Sequence, residues 1–301
     1  MVSSLDPNAQ RFLSSFNRIT DVLQKTQNEI SSGLRINQVS DAPDSISSLL
    51  TARANLISIQ QIGSNLVRFK SEADPGEQAL QSAVQLFDQV QTLGATGDTG
   101  TATASTRADI AQQLGSILQQ MGGIAGTQME GRYIFSGDSD QQAPYTIDLT
   151  QSNPISAYMG SASTRTAQYP DSTTFAVAET AQTIFDSSDP STNVFQTINS
   201  LRIAMANNDD TSIQTVVGGL SKVSAYLNQQ LAFYGNTQDQ IASATSQGQN
   251  LQTQIQTQIS NLQDTDMTSA ITELTQEQTQ EQAALQSEAL IPRTTLFDYL
   301  K

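Results

Sequence analysis

Apolar residues near both ends of the chain recur in alternating steps of three and four. At the start they are Val2, Leu5, Ala9, Phe12, Phe16, Ile19, Leu23 and Ile30, with Thr26 in the one missing slot. That spacing, held for about four heptads, predicts an amphipathic helix whose narrow apolar seam needs a helical partner. Towards the other end Ile241, Ala244, Gly248, Leu251, Ile255, Ile259 and Leu262 repeat the pattern, and Met267, Ile271, Leu274, Gln278 and Leu285 continue it more thinly. Such helices gain most of their stability from packing rather than intrinsic propensity, so the two ends are expected to pair with each other or with neighbouring subunits.

The composition supports thin seams over a thick core. Of 301 residues 37% are apolar and only 14% charged, against roughly 25% charged in an ordinary globular chain. There is no His, Cys or Trp, which removes imidazole bases, thiol nucleophiles and the usual zinc ligands. No catalytic, metal or cofactor site is expected. A net charge of -15 argues against nucleic acid and against an anionic membrane surface, since both draw affinity from Lys and Arg. No apolar run approaches the ~18 residues of a membrane span. Met1 to Asn8 has neither the basic start nor the apolar stretch of a classical signal peptide, and composition alone leaves the location open.

Turn and cap residues divide the chain. Gly33 suits the left-handed close of the first helix, and Leu34 to Asn37 reads as an extended link. Ser40 or Asp41 is the expected N-cap of a second helix with Pro43 in its first turn, carrying Leu49, Ala52, Leu56, Ile59, Gly63, Leu66 and Phe69. Asp74-Pro75-Gly76 is expected to interrupt it before Leu80, Ala83, Phe87, Val90 and Leu93 resume the period. A loop at Gly94 to Gly100 precedes a third helix from Arg107 to about Glu130, ending at Gly131.

Residues 132–190 are richer in aromatic and β-branched side chains, and Pro144 to Ile147, Ala157 to Met159 and Thr174 to Val177 read as short strands. Helical periodicity returns from Val194, passes a turn at Asn207 to Asp210, and runs on to an N-cap-like break at Asp264-Thr265-Asp266. The expected fold is mainly α: an elongated antiparallel helical rod or coiled-coil bundle with both termini together and a small β-rich insert in mid-chain. Residues 1–42 with 260–301 would form a terminal assembly domain, 43–131 with 191–259 a helical rod domain, and 132–190 a small outer domain.

Ser31-Ser32-Gly33-Leu34-Arg35-Ile36-Asn37 followed by Asp41, together with Ile259-Ser260-Asn261-Leu262-Gln263-Asp264-Thr265-Asp266-Met267 and the Gln-rich run 276–288, resembles the two terminal signatures of the flagellin family. Gly131-Arg132-Tyr133-Ile134-Phe135-Ser136-Gly137 and the tail Leu296-Phe297-Asp298-Tyr299-Leu300 resemble the members that join hook to filament. Gln263 departs from the pattern, standing where an acid is common. The resemblance implies an extracellular structural subunit of the bacterial flagellum, exported by the flagellar type III apparatus. Its partners would be further copies of itself in a helical homo-oligomer, a neighbouring hook-associated protein, flagellin and an export chaperone.

The assembly interface so implied comprises Phe12, Phe16, Ile19, Leu23, Gly33, Arg35, Asn37, Asp41, Ile255, Ile259, Leu262, Asp264, Asp266, Leu274, Leu285, Leu296 and Phe297. Arg35 reads either as an intra- or inter-subunit contact or as a solvated side chain. Asp138-Ser139-Asp140 lacks the further oxygen ligand and Gly of a calcium loop, and Asp209-Asp210 reads as a helix cap. Alternatives are a filament flagellin with a reduced outer domain, a carboxylate-only glycosidase, and a coiled-coil adhesin.

Overall fold

The computed structural model describes residues 7–290, and the protein is mainly α as expected. Among the described residues the helices are α1 (Pro7–Ser32), α2 (Pro43–Gly97), α3 (Ala104–Ala125), α4 (Ala181–Phe185), α5 (Val194–Ala206), α6 (Asp210–Gln263) and α7 (Met267–Leu290). Two small antiparallel sheets lie in mid-chain, β1 (Gln128–Met129) with β2 (Arg132–Tyr133) and β3 (Thr166–Gln168) with β4 (Thr174–Ala176). Packing divides the chain into two compact units: residues 1–58 with 252–301, and residues 59–251.

In the unit that holds both chain ends, α1 packs along α7. Glu29, near the end of α1, accepts from the Thr265 hydroxyl at 3.3 Å just before α7 begins, so the two helices run antiparallel. On α1, Ile19 and Thr26 are buried, while Phe12, Phe16, Leu23 and Ile30 are half-buried. These are the residues the spacing predicts. Pro7 opens the helix, where its missing N–H costs nothing. Gly33 closes it at φ +72°, its N–H donating to Glu29 O at 2.8 Å.

The start of α2 differs from the expectation. Asp41 does not cap it; the carboxylate instead accepts from the backbone N–H groups of Asn37 (2.9 Å) and Gln38 (2.7 Å) and closes the 3₁₀ turn Val39–Asp41. Pro43 supplies the first helical position, and the Ala42 carbonyl accepts from the N–H groups of Ser45 and Ile46 at 3.0 and 3.1 Å, while the Asp41 carboxylate serves the donors of the preceding link.

The larger unit has a continuous apolar core. From α2 it takes Leu80, Ala83, Phe87 and Val90, from α3 Leu114, Leu118 and Met121, from α5 Phe195 and Ile198, and from α6 Leu220, Val223, Leu227 and Tyr234. Each fully buried Leu or Phe contributes roughly 1.5–3 kcal/mol relative to its exposed state. The mid-chain segment joins this core, with Phe135 meeting Phe185 and Tyr234 edge to face at 6.2 Å. Arg165 fastens the segment to α2, its guanidinium pairing with Glu72 at 2.5 Å and Asp140 at 2.7 Å.

Three local expectations are corrected here. Asp74-Pro75-Gly76 does not interrupt α2, which is unbroken from Pro43 to Gly97; Gly76 is the point where Tyr234 of α6 comes closest, and a Cβ there would lie 2.7 Å from the ring. Packing against α6 offsets the ~3 kcal/mol cost of an interior proline. The third helix begins at Ala104, capped by Thr103, and ends at Ala125, because Glu130 (φ 52°) and Gly131 (φ 77°) form the turn of the β1–β2 hairpin. Neither Pro144 to Ile147 nor Ala157 to Met159 is a strand; Ile147 forms only an isolated bridge with Ile155.

Candidate functional site

The two signature segments meet in the terminal unit. Leu34 pairs antiparallel with Asp264. The N–H groups of Arg35 and Ile36 both donate to Gln263 O, at 2.7 and 3.3 Å, and Thr265 N–H donates to Gly33 O at 3.0 Å. Gly33 can present its carbonyl this way because it turns the chain in the left-handed region that other residues avoid. Arg35 is exposed, yet it is neither free nor part of an ion pair among the described residues: its Nη2 donates to Leu262 O at 2.7 Å. Of the two readings of Arg35, the intrachain contact is the one found.

Gln263 was not among the predicted site residues, although it sits at the centre of the clasp. Its side chain is buried, accepts from Arg53 Nη2 at 2.7 Å through Oε1 and donates to Ile36 O at 3.5 Å through Nε2. The sequence carried a signal for it, since an amide stands where the family pattern favours an acid. Ile36 is buried as well.

Acidic residues fix both sides of the clasp. Asn37 Nδ2 donates to Leu34 O at 2.8 Å. The backbone N–H groups of Gln38 and then Asn37 hold the Asp41 carboxyl below the usual carboxylate range. Asp264 accepts from the Ser260 hydroxyl. Asp266 caps α7 by accepting from Thr268 N–H at 2.9 Å and Ser269 N–H at 3.3 Å, and these bonds, that of Ser269 first, lower its pKa. On α6, Ile255, Ile259 and Leu262 are half-buried.

On α7, Leu274 is half-buried but Leu285 is 51% exposed, as is Ile271. The face turned towards cover is Ala270, Leu274, Glu277, Glu281, Ala284 and Glu288 instead. Leu296 and Phe297 lie outside the described residues.

Elsewhere the geometry offers little room for chemistry. Glu72 and Glu179 share a cavity of about 20 Å³ with Arg165 and Tyr234, room for about one water. Burial raises the Glu179 pKa, but Glu72 is taken by Arg165. The larger opening is a groove of about 500 Å³ between α2 and α3, lined by Leu93 and Ile117 together with amides and hydroxyls, with Asp88 as its one acid. Asp140 is engaged by Arg165 and Arg132 rather than arranged with other acids, and Asp209 caps α6 by accepting from Ser212. Among the described residues no helix is long and apolar enough to cross a membrane.

Paired terminal helices, clasped at the end of α1 and the start of α7, are the features the structure places at the two signature segments. Two sequence profiles match, the bacterial flagellin N-terminal helical region over residues 6–140 and the bacterial flagellin C-terminal helical region over residues 217–300, together most of the chain. The chain belongs to the flagellin family and is a structural component of the bacterial flagellum.

Its fold is shared with solved structures. A flagellar hook-associated protein of Vibrio parahaemolyticus matches with TM-score 0.63 at 18% identity, covering 74% of this chain and 100% of the other. Flagellar hook-associated protein-3 of Legionella pneumophila matches with TM-score 0.62 at 11% identity over 70% of this chain and 98% of the other. FlgL of Xanthomonas campestris matches with TM-score 0.54 at 16% identity over 66% and 99%. No curated protein matches the sequence.

Proposed function

We propose that this subunit polymerises through its terminal helices as an adaptor between the flagellar hook and filament. One observation carries the assembly reading. Among the described residues, seven of the nine exposed large apolar side chains (Leu13, Val39, Leu50, Ile57, Met267, Ile271 and Leu285) lie in the smaller, terminal unit. Isolated exposed apolar residues are ordinary, but a concentration on one unit marks a surface that another protein covers. The resemblance of Gly131 to Gly137 and of the tail to junction members, together with the shared fold of hook-associated proteins, favours the junction over the filament.

In this reading the terminal domain (residues 1–42 and 260–301) is the inner layer of a tubular lattice, the rod domain the next, and residues 132–190 the outer surface. The interface uses the α1 and α6–α7 residues named above. Partners are further copies, a hook-associated protein and flagellin outside the cell, with an export chaperone before secretion.

Electron microscopy of the purified chain incubated with hooks tests this, with a chain truncated after Leu262 as control. Capped hook tips without long filaments, lost on truncation, are expected. Long filaments formed by the chain alone would make it a filament flagellin, and no assembly would overturn the reading.

A further inference from the structure

Helix α2 is braced from outside where its own hydrogen-bond ladder is interrupted. Pro75 has no N–H, so the carbonyl of Ser71 receives no helical bond from it, and Gly76, the weakest helix former after proline, follows at once. Helix α6 has a glycine at the same level. Tyr234, whose ring lies against Gly76, is followed by Gly235, where a Cβ would meet nothing within 4 Å. Interior proline is the usual seat of a sharp helix bend. Three contacts hold residues 72–77 of α2: Glu72 accepts from Arg165 of the mid-chain segment at 2.5 Å, Gly76 lies against Tyr234, and Glu77 accepts from Gln238 of α6 at 2.5 Å.

We propose that Pro75 and Gly76, with Gly235 beside them, form a bending joint in the larger unit, and that Arg165 is the latch that holds it. The charges around Arg165 are arranged for release. Its partners Glu72 and Asp140 are half-buried, and each has a second, exposed cation in reserve: Arg68 stands 3.8 Å from Glu72 and Arg132 stands 3.5 Å from Asp140. Breaking a buried ion pair is costly chiefly because the remaining charge is stranded. Here Arg165 can swing out to water while both carboxylates keep a counterion, so the latch opens without that penalty. The Tyr234 ring, resting on a glycine rather than among side chains of α2, then serves as the pivot. The joint lies within the larger unit and belongs to the single chain, so it does not depend on the junction reading. A subunit under load would yield there before its core unpacked.

The test uses the full-length chain, which has no native cysteine. Ser64→Cys with Gln85→Cys puts spin labels at two exposed positions of α2 on either side of Pro75, about 32 Å apart along a straight helix. Double electron–electron resonance reads the distribution of distances between them, and circular dichroism confirms that each variant stays helical. With the latch intact the distribution should be narrow. Arg165→Ala should widen it about twofold, as bends of ~20° or more become accessible at the proline. Adding Pro75→Ala should narrow it again, because the ladder is then complete. Glu72→Gln, which keeps the side-chain volume and removes the charge, should widen it less, and it replaces Arg165→Ala if that chain does not fold. An unchanged distribution in the latch variant overturns the proposal. Widening that persists with Pro75→Ala also overturns it, since that is general loosening and not a joint. Either result leaves the junction reading, which is tested on hooks, intact.

Discussion

The guanidinium of Arg35 donates to the carbonyl oxygen of Leu262 at 2.7 Å, joining residues 227 positions apart. With the backbone bonds from Arg35 and Ile36 to Gln263, this bond makes the two terminal signatures one structural feature. Beneath it Arg53 and Gln263 repeat the theme from α2, again arginine to an oxygen of the α6 terminus. The chain therefore leaves and re-enters the terminal helices through a single clasp, and that clasp fixes where α1 ends relative to where α7 begins.

Removing either layer should loosen the terminal unit selectively. Arg35→Ala loses an exposed, charge-assisted bond and is expected to cost about 1 kcal/mol. Gln263→Leu leaves exposed Arg53 to water but strands the carbonyl of buried Ile36, and should cost about 1–3 kcal/mol. Gln263→Glu should pair with Arg53 but lose the donor to Ile36 O, falling between the two. Hydrogen exchange of the 34–36 and 263–265 amides measures this, with the α2–α5 core as the internal standard that should not change.

Arg107 should matter more than any exposed arginine. It is 5% exposed and reaches Gly97 O at 2.9 Å, Asn208 Oδ1 at 2.9 Å and Asp210 at 2.5 Å, tying the end of α2 to the turn between α5 and α6. Arg107→Ala removes all three bonds and opens a cavity. Asp210 stays solvated, so no charge is stranded, and a loss of about 2–4 kcal/mol is expected. Chemical denaturation of the full chain should show it as a lowered midpoint of the larger unit.

Gly76→Ala separates helix propensity from packing. Alanine would gain about 1 kcal/mol in an unencumbered helix. Here its Cβ would meet Tyr234 at 2.7 Å, and the ring is fully enclosed, with its hydroxyl accepting from Glu179 N–H at 3.3 Å. Overpacking of about 1–3 kcal/mol should outweigh the gain, so the variant is expected to be less stable on thermal unfolding. Gly63→Ala, where a Cβ meets nothing within 4 Å, should be more stable.

What the sequence made legible follows from which partner decides each face. Phe12, Phe16, Ile19, Leu23 and Thr26 pack as the spacing predicts because α1 has a strong apolar period and its partner belongs to the same chain. On α7 the period is weak. Small Ala270 is buried and Ala284 half-buried, with Glu281 on the same covered face, while the larger Ile271 and Leu285 turn outward. The Pro75-Gly76 pair misled for a related reason: local propensity marks a break, but Tyr234 on α6, distant in sequence, uses the missing Cβ. Gln263 carries out its role through a backbone group 227 positions away that the clasp brings close, which no local pattern encodes, whereas Asp41 serves N–H groups of its own turn.

Acid should open the clasp before the core. Asp41 and Asp266 accept backbone N–H bonds that lower their pKa values in the folded chain. A depressed folded pKa gives stability that is complete above the unfolded value near 3.9 and is lost as pH falls through the folded value. The terminal unit should therefore weaken below about pH 4. Both carboxylates are exposed at their outer side, so the effect should be modest. Hydrogen exchange across that range should show α7 and the 37–41 turn losing protection first, and Asp266→Asn should flatten the response of α7.

The outward apolar residues of the terminal unit distinguish a surface made for assembly from a poorly filled fold. Leu50 and Ile57 are 58% and 66% exposed and stand seven residues apart on α2, while Leu49, Ala52 and Ile59 on its other side are buried. Over residues 49–59 helix α2 is thus apolar on two faces, and among the described residues one of them is covered. If the second face serves assembly, Leu50→Gln with Ile57→Gln removes apolar surface already in water. The stability of the isolated chain should then change by less than about 0.5 kcal/mol, while capping of hooks falls, since the apolar area these side chains would bury against a neighbour is gone. Unchanged capping would show that this stripe faces solvent in the assembled state as well. A large loss of stability would mean that the two side chains are covered within one copy.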